Sequence, residues 1–406
     1  MLKNYLLLAA FFSLCPSESF AQTWNQKANV PTIARHRCSS FSIGNKGYVG
    51  LGHLNTVSNI LFDDLWEYNP ASNTWTQKAD FAGGLRYHCH AFAINGKAYV
   101  GTGRDGSSYQ NDNWEYDPTT NTWAAKADIP GPNRRGTVSF VINNLGYVGS
   151  GFTSSGGSGT SNDFYAYDPA LDSWSTVASF PGTARNSAVG FAIDSMGYMG
   201  TGDPHGLAQG LNDFWEYNSV TDAWTQKANV SDSIRRQSAG FALNGYGYIG
   251  TGHNPNIDDD MDDFWQYIPA TDSWVQVEDF LGVSRRYTTT FVIAGKAYAS
   301  MGTNGINFTD LWEYNPNYLV AFNYIDEVGL LANKKSSGTY AFKQGPAVTP
   351  TDLKLFIFNM DGKIIHKELI TSSELEIAPD QFPPNSVYKV IAGTKVIKAG
   401  KLKLTK

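Results

Sequence analysis

One phrase returns about every 50 residues along this chain. In its first copy it is Asp64-Leu65-Trp66-Glu67-Tyr68-Asn69-Pro70, followed shortly by a lone Trp75. The block recurs around Trp114, Tyr165, Trp215, Trp265 and Trp312, and the closing Trp falls at 75, 123, 174, 224 and 274. Six blocks thus carry five closing tryptophans. Repeats of this length read as propeller blades and not as helical solenoids. Gly, Asn and Pro turn signals cut each unit into four short strands. Strand a ends in a stretch such as Phe41-Ser42-Ile43, and strand b reads Tyr48-Val49-Gly50-Leu51-Gly52. Strand c carries the Trp and Tyr of the block, and strand d the closing Trp. The expected fold class is all-β, a six-bladed β-propeller.

The unmatched sixth block predicts how the ring closes. After Asn315-Pro316 the chain runs into Asn317-Tyr318-Leu319-Val320 with no Trp. Near the start, Trp24-Asn25-Gln26-Lys27-Ala28-Asn29-Val30 copies the last strand of the fourth unit, Trp224 to Val230, in all but one residue. An open ring leaves unpaired strand edges. The segment Thr23 to Val30 is therefore expected to supply strand d of the sixth blade.

Several features together resemble the Kelch repeat over residues 23–316. These are an Arg six residues before the Phe of strand a, then Phe-x-Ile, Gly-Tyr-Val-Gly-x-Gly, Asp-Leu-Trp-Glu-Tyr-Asn-Pro and Asn-Thr-Trp. Kelch strands b usually carry adjacent glycines, whereas here they are spaced, as in Gly101-Thr102-Gly103. Such glycines permit close packing near the axis. The resemblance implies a propeller and leaves activity open, because the family holds sugar-oxidising and sugar-epimerising enzymes beside pure binding modules. The oxidase's copper constellation of Tyr, Cys and His has no counterpart, and no cofactor is expected.

The remaining segments bound where such a propeller works. Residues 1–21 read as a signal peptide: Lys3, an apolar run from Tyr5 to Leu14, then Ser19-Phe20-Ala21 as a cleavage site. No transmembrane span is expected. The net charge of −6 gives no reason to expect nucleic acid as a partner. The propeller is placed at 22–316, a linker at 317–335 and a small C-terminal β-sandwich at 336–406. All eleven arginines precede residue 317, and the tail is charged through lysine. Asp352 to His366 reads as two strands around Met360-Asp361-Gly362, and Val387 to Leu404 as a hairpin with a terminal strand. This segment resembles the C-terminal sorting domain of type IX secretion, with Phe382-Pro383-Pro384 to Tyr388 in place of its Leu-Pro-x-Gly-x-Tyr turn. The resemblance implies the secretion machinery as a partner, and an extracellular or outer-surface location on a Gram-negative bacterium.

A four-strand meander places the b–c and d–a loops at one end, and these are the long, variable connections, where binding on a rigid scaffold usually resides. Six arginines, Arg35, Arg86, Arg134, Arg185, Arg235 and Arg285, repeat there and form a candidate ring for a carboxylate or phosphate. A second ring, Asp64, Asp112, Asp163, Asp213, Asp263 and Asp310, lies at the same end, and Arg-to-Asp pairing is the competing reading. Symmetry-breaking candidates are His53, Arg104, Asp203, His205 and His253, which follow the glycines of strand b. No metal site is expected: the two histidines of blades one and five are not neighbours, and the Asp258–Asp263 run lacks EF-hand spacing. Cys38 and Cys89 occupy the same position in adjacent blades, as a disulfide or as two buried thiols. No nucleophile elbow or metalloprotease motif is present, so the sequence leans away from an enzyme. The expected function is noncatalytic recognition of a glycan or protein through the b–c loop face. The alternative is an epimerase-like enzyme holding an acidic sugar with the axial arginines.

Overall fold

The computed structural model describes residues 24–55, 59–153, 159–204, 210–231 and 233–316, and beyond these the C-terminal strands named below. Residues 24–316 form six antiparallel four-stranded sheets. Blade 1 is Ser39–Ile43, Lys46–Leu54, Ile60–Asn69 and Thr74–Lys78; blade 4 is Val189–Ile193, Met196–Gly200, Phe214–Asn218 and Ala223–Lys227. Blade 6 takes Thr289–Ile293, Lys296–Ser300 and Leu311–Tyr314 from the end of the propeller and Trp24–Lys27 from its start. In that pairing Trp24 lies opposite Tyr314 and Lys27 opposite Leu311. The ring closes as the copied strand predicted, with Trp24–Lys27 as the outer strand of blade 6.

The closing tryptophans join neighbouring blades. The Trp75 indole donates to the carbonyl of Ala28, and Trp123, Trp174, Trp224 and Trp274 do the same to Ala79, Ala127, Ala178 and Ala228. The N–H of each of these alanines donates in return to the side chain of Asn73, Asn121, Asp172, Asp222 or Asp272. Those turn residues have φ between 45 and 54°, a left-handed backbone that Asn and Asp tolerate better than most. One Asx side chain thereby shapes the c–d turn of its own blade and ties down the preceding one.

The spaced glycines and the repeated arginine form a single device. The residue between the two glycines is left-handed, for example Leu51, Thr102 and Thr201, and so is the second glycine, with φ from 87 to 113°. The turned N–H of Gly52 donates to the carbonyl of Arg86 in the next blade, and Gly103, Gly151, Gly202 and Gly252 repeat the contact with Arg134, Arg185, Arg235 and Arg285. Gly302 donates to Arg35 and so carries the contact across the seam. In the same turn, the carbonyls of Thr102, Ser150, Thr201 and Met301 accept from the guanidinium groups of Arg86, Arg134, Arg185 and Arg285. A Cβ on Gly103 would meet the Tyr87 carbonyl at 2.6 Å, so neither the space nor the φ admits a side chain.

From 317 the chain forms a separate unit. Leu331–Lys334, Tyr340–Lys343 and Glu374–Ile377 make a three-stranded antiparallel sheet. Ile364–Leu369, Leu353–Phe358, Val387–Ala392 and Lys395–Lys401 make a four-stranded one. The signal-peptide expectation and residues 317–330 of the expected linker fall outside the described residues, while Leu331–Lys334, within the expected linker, is a strand. Among the described residues no helix is long and apolar enough to cross a membrane.

Candidate functional site at the axial mouth

The six repeated arginines do not face a ligand. Five are fully buried and Arg86 is 3% exposed. Each pairs with the predicted aspartate: Arg35 with Asp64, Arg86 with Asp112, Arg134 with Asp163, Arg185 with Asp213, Arg235 with Asp263 and Arg285 with Asp310, at 2.5 to 2.7 Å. Four of these pairs are two-pronged. The same carboxylate accepts the indole N–H of the strand c Trp two residues on, or the hydroxyl of Tyr165 in blade 3. The candidate ligand ring is instead a brace, the Arg-to-Asp pairing of the competing reading, because its charge is compensated inside each blade.

The mouth is lined by the residues next door. In every blade the residue after the bracing arginine pairs antiparallel with the residue after the second glycine. The pairs are His36 with His53, Tyr87 with Arg104, Arg135 with Phe152, Asn186 with Asp203, Arg236 with His253 and Arg286 with Thr303. The following residue in each blade, Arg37, His88, Gly136, Ser187, Gln237 and Tyr287, has φ between 52 and 63°. That conformation aims its N–H sideways. His88 donates to the Arg37 carbonyl, Gly136 to His88, Ser187 to Gly136, Gln237 to Ser187 and Tyr287 to Gln237. A girdle of five backbone bonds therefore links these six residues about the axis, with Arg37 and Tyr287 joined through their side chains, and side chains of unlike chemistry stand on it.

All five arginines outside the brace, Arg37, Arg104, Arg135, Arg236 and Arg286, stand at this mouth. They line two recesses that share Arg37. One, of about 360 Å³, lies toward blades 5 and 6 with Arg236, His253, Asp258, Arg286 and Tyr287. The other, of about 320 Å³, lies toward blades 1 to 3 with His53, Tyr87, Arg104 and Arg135. An axial space of about 170 Å³ is lined by His88, Cys38, Cys89 and Tyr287 among others.

The two recesses differ in charge compensation. Arg286 donates to both oxygens of Asp260 at 2.8 Å, and Arg236 lies 3.5 Å from Asp203. His253 contacts Asp260 at 3.0 Å and Asp258 at 3.4 Å. Within the acidic run, Asp260 is thus taken up by Arg286 and His253, and Asp263 by Arg235. On the other side, Arg37 contacts the His53 ring at 3.1 Å and the Tyr287 hydroxyl at 2.9 Å. Arg104 and Arg135 lie over Tyr109, at 5.7 and 5.4 Å from its centroid, and Arg135 also over Phe152. Among the described residues no carboxylate pairs with Arg37, Arg104 or Arg135. Burial, followed by the nearby charge of Arg37 and then of Arg104 and Arg135, holds the His53 imidazole below its ordinary pKa. Burial with Arg37 and Arg135 does the same more strongly to His88, whose two ring nitrogens have no hydrogen-bond partner.

The structure places His53 and Arg104 in one recess and His253 in the other; His205 lies outside the described residues. Cys38 and Cys89 are free thiols. Each sits against the second glycine of its own blade, so that a Cβ on Gly52 or Gly103 would come 2.7 Å from its sulfur. The disulfide is therefore not formed: each thiol is packed into its own blade. Sequence reading missed the girdle and the residue before it. The signal was present as six aligned dipeptides after the bracing arginine: His-Arg, Tyr-His, Arg-Gly, Asn-Ser, Arg-Gln and Arg-Tyr.

Fold and site together define a six-bladed β-propeller with a common brace and an individual mouth. Residues 85–128 match the Kelch motif. The solved structure of YjhT is similar, with a TM-score of 0.59 at 16% identity over 70% of this chain and 95% of that one, a likeness that speaks for the fold. No curated protein matches the sequence.

Proposed function

We propose that this chain is an extracellular, noncatalytic recognition module that binds a saccharide at the axial mouth of its propeller. One observation carries the reading. The positions shared by all blades build the brace, whereas the positions that differ, the ladder pairs and the girdle, converge on one concave polar mouth. Concave sites with a few convergent polar groups suit small ligands better than flat protein surfaces do. The signal-like leader and the sorting-like C-terminal unit support work outside the cell.

A second reading, a sugar-modifying enzyme, is favoured by His88. This imidazole lines the axial space beside Arg37 with both ring nitrogens uncommitted, and although burial makes it a weak base, a bound sugar hydroxyl could engage it. The experiment is a titration of the purified full chain against a saccharide panel, with NMR of the recovered sugars, repeated on Arg104→Ala and His253→Ala. Binding without turnover supports the module, and turnover lost in His88→Gln supports the enzyme. No saccharide bound by any form of the protein would sink both.

A further inference from the structure

We infer that the recess framed by Arg37, Arg104 and Arg135 is an anion site that takes the carboxylate or sulfate of an acidic saccharide. The inference rests on the saccharide reading above and gives it a chemical class.

Charge is the first argument. Eleven arginines serve this propeller, and eight have an aspartate partner: the six of the brace, then Arg236 and Arg286. The three that have none among the described residues share a single recess. The nearest acid in sequence, Asp105, is taken up by Ser107, Ser108 and the Gln110 amide. The opposite recess has the same girdle and two arginines of its own, yet Asp203 and Asp260 neutralise them. It serves as an internal comparison: the fold can supply carboxylates at this level, and does so on one side only.

Pre-organisation is the second argument. The Arg104 and Arg135 guanidinium groups share the Tyr109 ring, which meets Phe152 edge-on at 5.7 Å. Arg37 lies over Tyr287 at 4.4 Å and is tethered by its hydroxyl. Ring faces hold a guanidinium without using up its in-plane donors. The Nε of Arg37, Arg104 and Arg135 is buried with no acceptor, as is that of Arg236 in the other recess. Carboxylate and sulfate fit because both present paired oxygens to the planar fork. His53, held neutral beside them, together with the Asn55 and Asn59 amides in the same recess, can serve sugar hydroxyls.

The test titrates the full chain with digalacturonate, a sulfated galactose disaccharide and neutral galactobiose at fixed ionic strength. The expected result is tighter binding of one or both acidic sugars than of galactobiose. Arg104→Ala and Arg135→Ala should each weaken that binding about tenfold or more, as loss of a charge-assisted bond does. Lys46→Ala, beside the a–b turn at the opposite end of blade 1, should not, and thermal melts should show that all three variants are folded. Equal binding of acidic and neutral sugars, or acidic binding indifferent to both substitutions, overturns the anion site and leaves saccharide recognition standing. If no sugar binds while inorganic sulfate or tetraglutamate binds through Arg104 and Arg135, the saccharide reading falls and this assignment with it.

Discussion

Trp24 lies on the ring of Tyr314, centroids 4.8 Å apart, in the strand pair that joins the two ends of the propeller. Its indole also meets Phe264 and Phe280 and is fully buried. It donates to the Glu278 carbonyl, in the role that Trp75 and its equivalents fill in the other blades. Trp24→Ala should therefore cost about 3 to 5 kcal/mol, the range for truncating a buried aromatic. Urea unfolding followed by Trp fluorescence reads the change, and an unshifted midpoint would count against the seam.

Arg185 and Asp213 illustrate what the brace contributes. The guanidinium is fully enclosed and donates to both carboxylate oxygens, and the carboxylate also accepts from Trp215. Arg185→Ala leaves a half-buried carboxylate without its counter-charge, at a cost of about 3 to 5 kcal/mol. Arg185→Ala with Asp213→Ala should cost less than the two single losses summed, because the second change removes the stranded charge. Additivity in that cycle would show that the pair is not coupled.

The architecture was legible because every blade repeats it. Trp75, Trp123, Trp174, Trp224 and Trp274 announce the period, the missing sixth points to Trp24, and Arg185 and Asp213 recur as columns. The site was legible only in part. His53, Arg104 and His253 stand out because they break the repeat after the strand b glycines. Arg37 and Arg135 carry no such mark: they follow the bracing arginine, where no residue type recurs in all blades, Arg135 being matched only by Arg236 and Arg286 and Arg37 by none. Their importance comes from backbone geometry, from the left-handed girdle and the short ladder to the strand b loop, and neither leaves a composition signal.

Cys38 and Cys89 should be inert thiols. Burial, against the opposing charge of nearby Arg35 and Arg86, pushes their pKa values up to about 11 and about 12. At pH 8 only about one Cys38 in a thousand would then be thiolate, and fewer for Cys89. Alkylation of the native protein without reductant should be negligible, and denaturation should release both thiols for labelling. A mass showing neither cysteine modified after denaturation would reveal a disulfide instead.

Deletion of residues 317–406 should leave a folded propeller, since every blade, including the strand at the seam, comes from residues 24–316. Its thermal transition should match that of the propeller in the full chain. If the C-terminal unit is the export signal, the truncated chain should accumulate in the periplasm while the full chain reaches the outer surface. Surface delivery of the truncated chain would remove the type IX assignment without touching the propeller.

Acid should destabilise the fold before its carboxylates titrate. Burial, with help from Arg37, lowers His36 to about 3, and burial lowers His90 to about 4 against the opposing hydrogen bond to Asn113. His53 and His88 are lowered in the same direction. Below about pH 6.5 the unfolded chain protonates these imidazoles while the folded chain keeps them neutral, so the unfolded state binds more protons and stability falls with pH. Each fully neutral histidine contributes up to ~1.4 kcal/mol per pH unit in that window, and the loss levels off as pH passes the folded pKa values. Urea unfolding at pH 7.5, 6 and 5 should show the decline while most carboxylates remain ionised. His90→Gln removes one of the four groups and should make the slope shallower. A slope of zero, or one unchanged by the substitution, would mean that the imidazoles at the axis are already charged in the folded protein.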